Sequence, residues 1–360
     1  MNDADRAAKR GCTHFLPMHV PETPAATLRR LAALDAAEVD ADSYGDSGAV
    51  TLLEKRCAGL LGTSAARFFI KGMMAQAAAL TVYADDRGTR NVAVHRMSHI
   101  NLDEGDAIER ACGLRSIRLG TTMPFGVEDL RRITEPLAAV VVELPLRRAG
   151  FLLPPLAELR AISAWCRENK VPLHFDGARL WEAAAGYDMP LEALATLADS
   201  IYVSFYKGLG GLGGAMLAGP ERLIDATAIW QQRYFGNLYT VHPYALSALD
   251  GLDRYLPRMP EFVARARELA AALRDMPGVM VNPAKPHAHA FQIIVPGDPA
   301  DLTDRNRRFA EDHKVWLFNA FQPAPIAGHA LAEINIGDGS DNWSVEQAAG
   351  WLRDFFSGGG

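Results

Sequence analysis

Two short stretches of this chain place reactive side chains where few other roles suit them. The first is H-F-D-G-A-R at 174–179, which sets Asp176 at the end of an apolar run with Arg179 three residues on. The second is I-Y-V-S-F-Y-K-G-L-G-G-L-G-G at 201–214, in which Lys207 closes an aromatic and β-branched run and opens a stretch holding five glycines. A lysine partly desolvated at a strand end has a lowered pKa and can form a Schiff base with a carbonyl. The structural alternatives are ordinary ones. Strand-end lysines snorkel to the surface, and an Asp-Gly pair often marks a turn.

The two stretches gain meaning together, 31 residues apart. Pyridoxal phosphate needs a lysine for its aldehyde, a carboxylate for its pyridine nitrogen, a cradle for its phosphate and a flat group on its ring. Lys207 and Asp176 supply the first two. Gly72, with the amides of Met73 and Met74 at a predicted helix start, and Ser204 supply the third, because the first turn of a helix offers unpaired N–H groups and a positive dipole end. His99, in S-H-I at 98–100, supplies the fourth.

Positioning these groups calls for alternating strands and helices. Strands are predicted at 67–70, 91–95, 116–119, 138–144, 173–175, 199–206 and 215–218, of which A-A-V-V-V-E-L at 138–144 reads as fully buried. Helices fall between them, at 49–61, from 72, and at 101–112, 127–133, 156–169 and 180–185. That alternation predicts an α/β domain with a mainly parallel, doubly wound sheet and ligands at the strand C-termini. A long helical stretch follows at 221–275, including an amphipathic segment at 262–273. Strands at 291–295, 316–319 and 333–336 and a helix at 345–356 predict a smaller α+β domain. Residues 1–24 read as irregular, Pro24 opens a helix with Leu28, Leu31 and Leu34, and the terminal G-G-G reads as an unstructured tail. The predicted division is an N-terminal segment 1–40 packing on the small domain or a partner subunit, a large domain 41–245 and a small domain 246–360.

The totals narrow the class. With 360 residues, apolar content of 49% and a net charge of −6, the chain resembles an ordinary enzyme and lacks the basic excess that nucleic acid demands. Cys12, Cys57, Cys112 and Cys166 are widely spaced, which suits reduced thiols and neither a zinc site nor a disulfide framework. No metal is expected. A charged N-terminus and the lack of a long apolar run predict a cytoplasmic protein with no membrane span.

Y-G-D at 44–46, G-x-x-A at 72–75, S-H-I at 98–100, D-G-A-R at 176–179 and S-x-x-K-G-L-G at 204–210 together resemble the threonine aldolases and related β-eliminating lyases. The resemblance runs from Tyr44 to the end. It implies fold type I, the pyridoxal-phosphate-dependent transferase architecture with a seven-stranded-type sheet, and the following roles. Lys207 is the Schiff-base lysine, Asp176 the pyridinium partner and His99 the stacking residue, while Arg179 contacts the substrate carboxylate or the cofactor. It also implies a homodimer or homotetramer with active sites at a dimer interface, where Arg233 would reach the neighbouring subunit's phosphate. The expected reaction is retro-aldol cleavage of a β-hydroxy-α-amino acid to glycine and an aldehyde. The alternatives are β-elimination or racemisation with Lys207 as base and, in another class, a non-catalytic cofactor-binding relative.

The chain departs from that family pattern in four places. L-P-M-H-V-P at 16–21 replaces a serine–aspartate–threonine segment, leaving His19 as a substitute for substrate binding. Met73 stands where a threonine is usual. Glu143 leads into L-P-L-R-R with no histidine, and the small-domain strand A-L-A-E-I-N-I carries Ala332 and Glu333 where an arginine binds the substrate carboxylate. Arg147 is the expected replacement for that arginine.

Overall fold

The computed structural model describes residues 2–357, so the terminal glycines lie outside the described residues. The chain divides into two compact units, Thr23–Arg258 and Met1–Glu22 with Met259–Gly360. The sequence reading placed these boundaries at 40/41 and 245/246. The difference has a local cause: the helix Pro24–Ala32 is tied to the helix His242–Arg254 by an ion pair from Arg30 to Asp250, so both helices stay with the larger unit.

Seven strands build the larger unit: β1 (Ala65–Phe69), β2 (Asn91–His95), β3 (Arg115–Leu119), β4 (Ala139–Glu143), β5 (Leu173–Gly177), β6 (Ser200–Ser204) and β7 (Ala215–Gly219). They form one sheet in the order β1-β7-β6-β5-β4-β2-β3, in which β7 alone runs antiparallel to its neighbours. From β4 to β7 every residue is buried, as expected for strands covered on both faces. The helix Gly72–Arg87 packs close on one face because Ala75, Ala78 and Ala79 meet Phe69, Tyr202 and Leu217 there. Beside them, Leu80, Val92, Val94 and Val141 form an aliphatic core, each such side chain contributing about 1.5–3 kcal/mol by burial.

Several expectations need correction. The predicted helix at 101–112 is two short helices, His99–Leu102 and Ala107–Arg110, because Gly105 and Asp106 adopt left-handed backbone between them. The stretch 221–275 is three helices, Glu221–Arg233, His242–Arg254 and Met259–Leu273.

In the smaller unit, β8 (Met280–Asn282), β9 (Ala290–Pro296), β10 (Gln322–Pro323) and β11 (His329–Asn335) form an antiparallel sheet in the order β10-β11-β9-β8. The strand expected at 316–319 is confined to Val315–Trp316 and leaves that sheet. It pairs in parallel with His14–Phe15 instead, and Cys12, Phe15, Ala310 and Trp316 share a small core. The N-terminal region is therefore not irregular. Asp3–Arg10 is a helix whose capping box joins Asn2 and Asp5, at 2.8 Å from Asp5 N–H to Asn2 Oδ1.

Candidate active site

Because β1, β2, β4, β5 and β6 all run the same way, their C-terminal ends share one edge of the sheet, and the groups singled out above lie there. Asp176 sits in β5, Glu143 and Ser204 end β4 and β6, and His99, Gly72 and Lys207 follow β2, β1 and β6 within four residues. The register sets Glu143 opposite Asp176 and Asp176 opposite Tyr202, so these three point to one face.

The glycine-rich turn that presents Lys207 is held by its own backbone. Gly210 N–H donates to Lys207 O at 2.9 Å and Gly211 N–H to Phe205 O at 2.8 Å, while Gly210 takes φ of 63°. A left-handed residue there favours glycine because it has no Cβ to clash. At Gly72 the constraint is contact. A Cβ would stand 2.1 Å from the Tyr202 hydroxyl, so the phenol rests directly on the start of the helix. Met74 and Ala75 N–H bond back to Lys71 O at 3.1 and 3.3 Å, which leaves Gly72 and Met73 as the open donors of the first turn. The amide of Met74, expected to face an anion, is thus spent within the turn, and its side chain abuts Gly236.

The charges act on one another. Burial and then the Arg179 guanidinium lower the Lys207 ammonium while Asp176 and Glu143 oppose the drop, which together bring it to about 8. Burial also holds the His99 imidazolium below its usual range, with Asp176 raising it and Lys207 lowering it. Its Nε2 lies 3.6 Å from Glu104 Oε1. Asp176 is 1% exposed and accepts from Ala178 N–H at 3.3 Å. Arg179 is buried with its guanidinium 5.0 Å from the centre of the Phe151 ring. Arg147 is half-buried and acts on Lys207 as well.

Lys207, Asp176, His99, Arg179 and Arg147 are therefore brought together, with Ser204 and Gly72 on the same edge. Arg233 is exposed and stacked on Trp230 at 4.5 Å. His19 belongs to the smaller unit, where its Nδ1 lies 3.2 Å from Asp338 Oδ1. In the same unit Ala332 is buried, and Glu333 alternates to the other face of β11.

Two residues of this edge went unassigned in the sequence. Tyr202 was read only as part of a strand. Glu143 is buried, pushed up to about 7 by burial and then by Asp176, and its carboxylate accepts from His99 N–H at 2.7 Å and Arg147 N–H at 3.0 Å. A carboxylate ending the most apolar strand of the chain was the available signal.

The donor set fits pyridoxal phosphate. An amine brought near neutrality by burial feels the charge of a buried aspartate on the neighbouring strand, a half-buried imidazole is acted on by both, and open helix N–H groups lie along the same edge.

The Beta-eliminating lyase family model matches residues 23–295. Among solved structures, a protein from Exiguobacterium sp. 255-15, provisionally named an aromatic amino acid β-eliminating lyase/threonine aldolase, is 31% identical. It superposes with a TM-score of 0.91 over 98% of this chain and 100% of that one. A provisionally named L-allo-threonine aldolase from Listeria monocytogenes EGD-E is 30% identical with a TM-score of 0.91, over 98% and 99% of the two chains. Low-specificity L-threonine aldolase 1 of Arabidopsis thaliana is 26% identical over 78% of this chain and 81% of its own.

Proposed function

The chain belongs to the β-eliminating lyase family and is a pyridoxal-phosphate-dependent lyase; from that premise we propose that it cleaves a β-hydroxy-α-amino acid of the threonine or allo-threonine kind to glycine and an aldehyde. The observation that carries the reading is the convergence of Lys207, Asp176, Arg179 and His99 on one sheet edge, where Arg179 and Asp176 act on the titration of Lys207, and Asp176 and Lys207 on that of His99. The names of the related proteins support the substrate class.

Bound at this edge, pyridoxal phosphate supplies an electron sink for the bond broken at the substrate Cα. Lys207, lowered to about 8, offers a free amine near neutral pH. Asp176 supplies the buried negative charge that keeps a pyridine nitrogen protonated. Gly72 and Met73 N–H and the Ser204 hydroxyl hold the phosphate. His99, kept neutral by burial, covers the ring and accepts the proton of the substrate hydroxyl at its imidazole, as a general base must. Arg147 and Arg179 bind the substrate carboxylate from the strand side, in place of an arginine from the smaller unit. A bidentate pair of that kind contributes about 1.5–3 kcal/mol.

The active assembly is a homodimer or homotetramer in the cytoplasm, with Arg233 reaching the partner's phosphate. Its exposure and the exposed rings of Tyr44, Phe235 and Tyr239 support an interface on this side of the larger unit. Among the described residues no helix is long and apolar enough to cross a membrane.

A second reading, β-elimination or racemisation, keeps the same groups and makes Lys207 the base for the α-proton. It is favoured by the stretch after Glu143, L-P-L-R-R, which holds no histidine and whose Leu146 packs with Met97, Ala149 and Leu152. The test is aldehyde release from L-threonine and L-allo-threonine by the cofactor-loaded protein. Acetaldehyde from the wild type and none from Lys207→Ala is the expected result. A loaded protein that exchanges the α-proton or yields 2-oxobutanoate and ammonia, with no aldehyde, overturns the aldolase reading in favour of the second.

A further inference from the structure

Glu143 occupies an unusual position for a carboxylate. It ends β4, a strand whose every residue is buried, and the parallel register with β5 sets it directly beside Asp176 on the same face. Both side chains are nearly inaccessible, at 7% and 1% exposure. Two adjacent buried carboxylates repel, and such a pair needs hydrogen bonds or cations to persist. Glu143 finds its bonds in two different loops. Oε2 accepts from the backbone N–H of His99 at 2.7 Å, and Oε1 accepts from the backbone N–H of Arg147 at 3.0 Å. Those loops follow different strands, β2 and β4: His99 lies 44 residues before Glu143 and Arg147 four after it, yet one carboxyl group ties both.

We propose that Glu143 is a positioning residue that fixes His99 and Arg147 as one unit, so that the group over the cofactor ring and the group for the substrate carboxylate are set by a single bracket. The inference rests on the roles given to His99 and Arg147 above. Each oxygen is committed to a different loop, so neither bond substitutes for the other. Glu143 does not touch the reacting atoms in this arrangement; it acts through the two residues whose backbones it holds. The charged groups acting on it are Asp176 from β5 and Lys207 from the glycine-rich turn, beside the backbone N–H groups of His99 and Arg147. Burial and Asp176 raise its carboxyl to about 7, while the two backbone bonds and Lys207 favour the ionised form. The bracket is therefore strongest above neutrality, where the carboxylate accepts both bonds fully, and weakens as pH falls through that value.

The test uses the cofactor-loaded protein and two binding readouts. Cofactor retention, followed by the visible absorbance of bound pyridoxal phosphate on dilution, reports on His99. Affinity for glycine, followed by the change it makes in that absorbance, reports on Arg147. His99→Ala is expected to weaken the first and Arg147→Gln the second. Glu143→Gln keeps one acceptor oxygen and turns an amide N–H towards the other donor, so it is expected to weaken both by about tenfold. In the double variants Glu143→Gln adds nothing to His99→Ala in retention and nothing to Arg147→Gln in glycine affinity, because it acts through those residues. If Glu143→Gln does not fold, Glu143→Asp keeps both acceptors but draws them back by one methylene, and the same joint loss is expected.

Effects that add in the double variants overturn the bracket, as does a fall in thermal stability with both affinities unchanged. If His99→Ala and Arg147→Gln move their readouts but Glu143→Gln moves neither or one, the bracket alone fails. If the two single variants move nothing, the roles assigned to them fail and the bracket falls with them.

Discussion

The amine of Lys207 offers the sharpest test of the site's electrostatics, because its neighbours pull in opposite directions. A lysine of ordinary pKa is about 0.1% deprotonated at pH 7.5. With Lys207 lowered to about 8, the free amine rises to about 24%, on the order of two hundred times more. Holding the ammonium in this environment costs about 3 kcal/mol relative to water. The unfolded chain keeps that proton up to about pH 10.5, whereas the folded chain releases it near 8, so the unfolded state carries more protons between those values. The contribution of Lys207 to stability therefore rises with pH across that interval. The direct assay is competition labelling of the cofactor-free protein with a small neutral acylating reagent at a series of pH values, with the Lys207 peptide quantified by mass spectrometry. The wild-type midpoint is expected near 8. Arg179→Gln removes a cation that lowers Lys207 and shifts the midpoint to higher pH, while Asp176→Asn removes an anion that raises it and shifts the midpoint lower. A wild-type midpoint at 10 or above, or shifts of the same sign in both variants, refutes the account.

Other positions give independent checks. Gly72→Ala forces a Cβ to within 2.1 Å of the Tyr202 hydroxyl, so it is expected to destabilise by about 1–3 kcal/mol and lower the melting temperature by several degrees. Tyr202→Leu in the same chain should recover most of that loss. Asp42 is buried and accepts from Thr240 Oγ1 at 2.7 Å and from the N–H groups of Gly45, Val241 and His242 at 2.8–3.1 Å. Burial raises its carboxyl, but these bonds together hold it below the usual carboxylate range. Asp42→Ala leaves the donors of two loops without their acceptor and should lower the urea midpoint by an amount equivalent to about 3 kcal/mol. With a depressed folded pKa, the stabilisation from Asp42 is present above about pH 4 and disappears on acidification through that lower value, which an acid-unfolding series of the wild type and Asp42→Ala resolves. Arg30 pairs with Asp250, so Asp250→Asn should loosen the helix Pro24–Ala32 and speed its amide exchange, leaving that of the buried β4 unchanged.

What could be read from the sequence followed from how local each signal was. The strand ending at Ser204 and the glycine turn after it are contiguous, so a lysine at their junction declared both its burial and its exit from the sheet. Asp176 and Arg179 were legible for the same reason, and the alternation of strands with helices gave the parallel sheet. The N-terminal helix was missed because its residues are mostly charged. Its tie to an apolar core comes through Ala8 and the following Cys12 and Phe15, against residues some 300 positions away. The helix expected at 101–112 failed on one local detail, the left-handed pair Gly105 and Asp106, which the apolar spacing does not reveal.

The central feature of the site was beyond any local reading. Glu143 and Asp176 are separated by a helical crossover, and only the parallel register makes them neighbours. Likewise Tyr202 meets Gly72 across the sheet–helix interface, so a glycine that looked like a phosphate-binding signature is also required by the volume of a phenol. In the proposed function Arg147 binds the substrate carboxylate and His99 serves the substrate hydroxyl, and the backbone N–H of each is bonded by Glu143. A substitution at any one of these residues is therefore a substitution in a coupled set, and its effect on binding depends on whether the carboxylate at the end of β4 still bonds both loops.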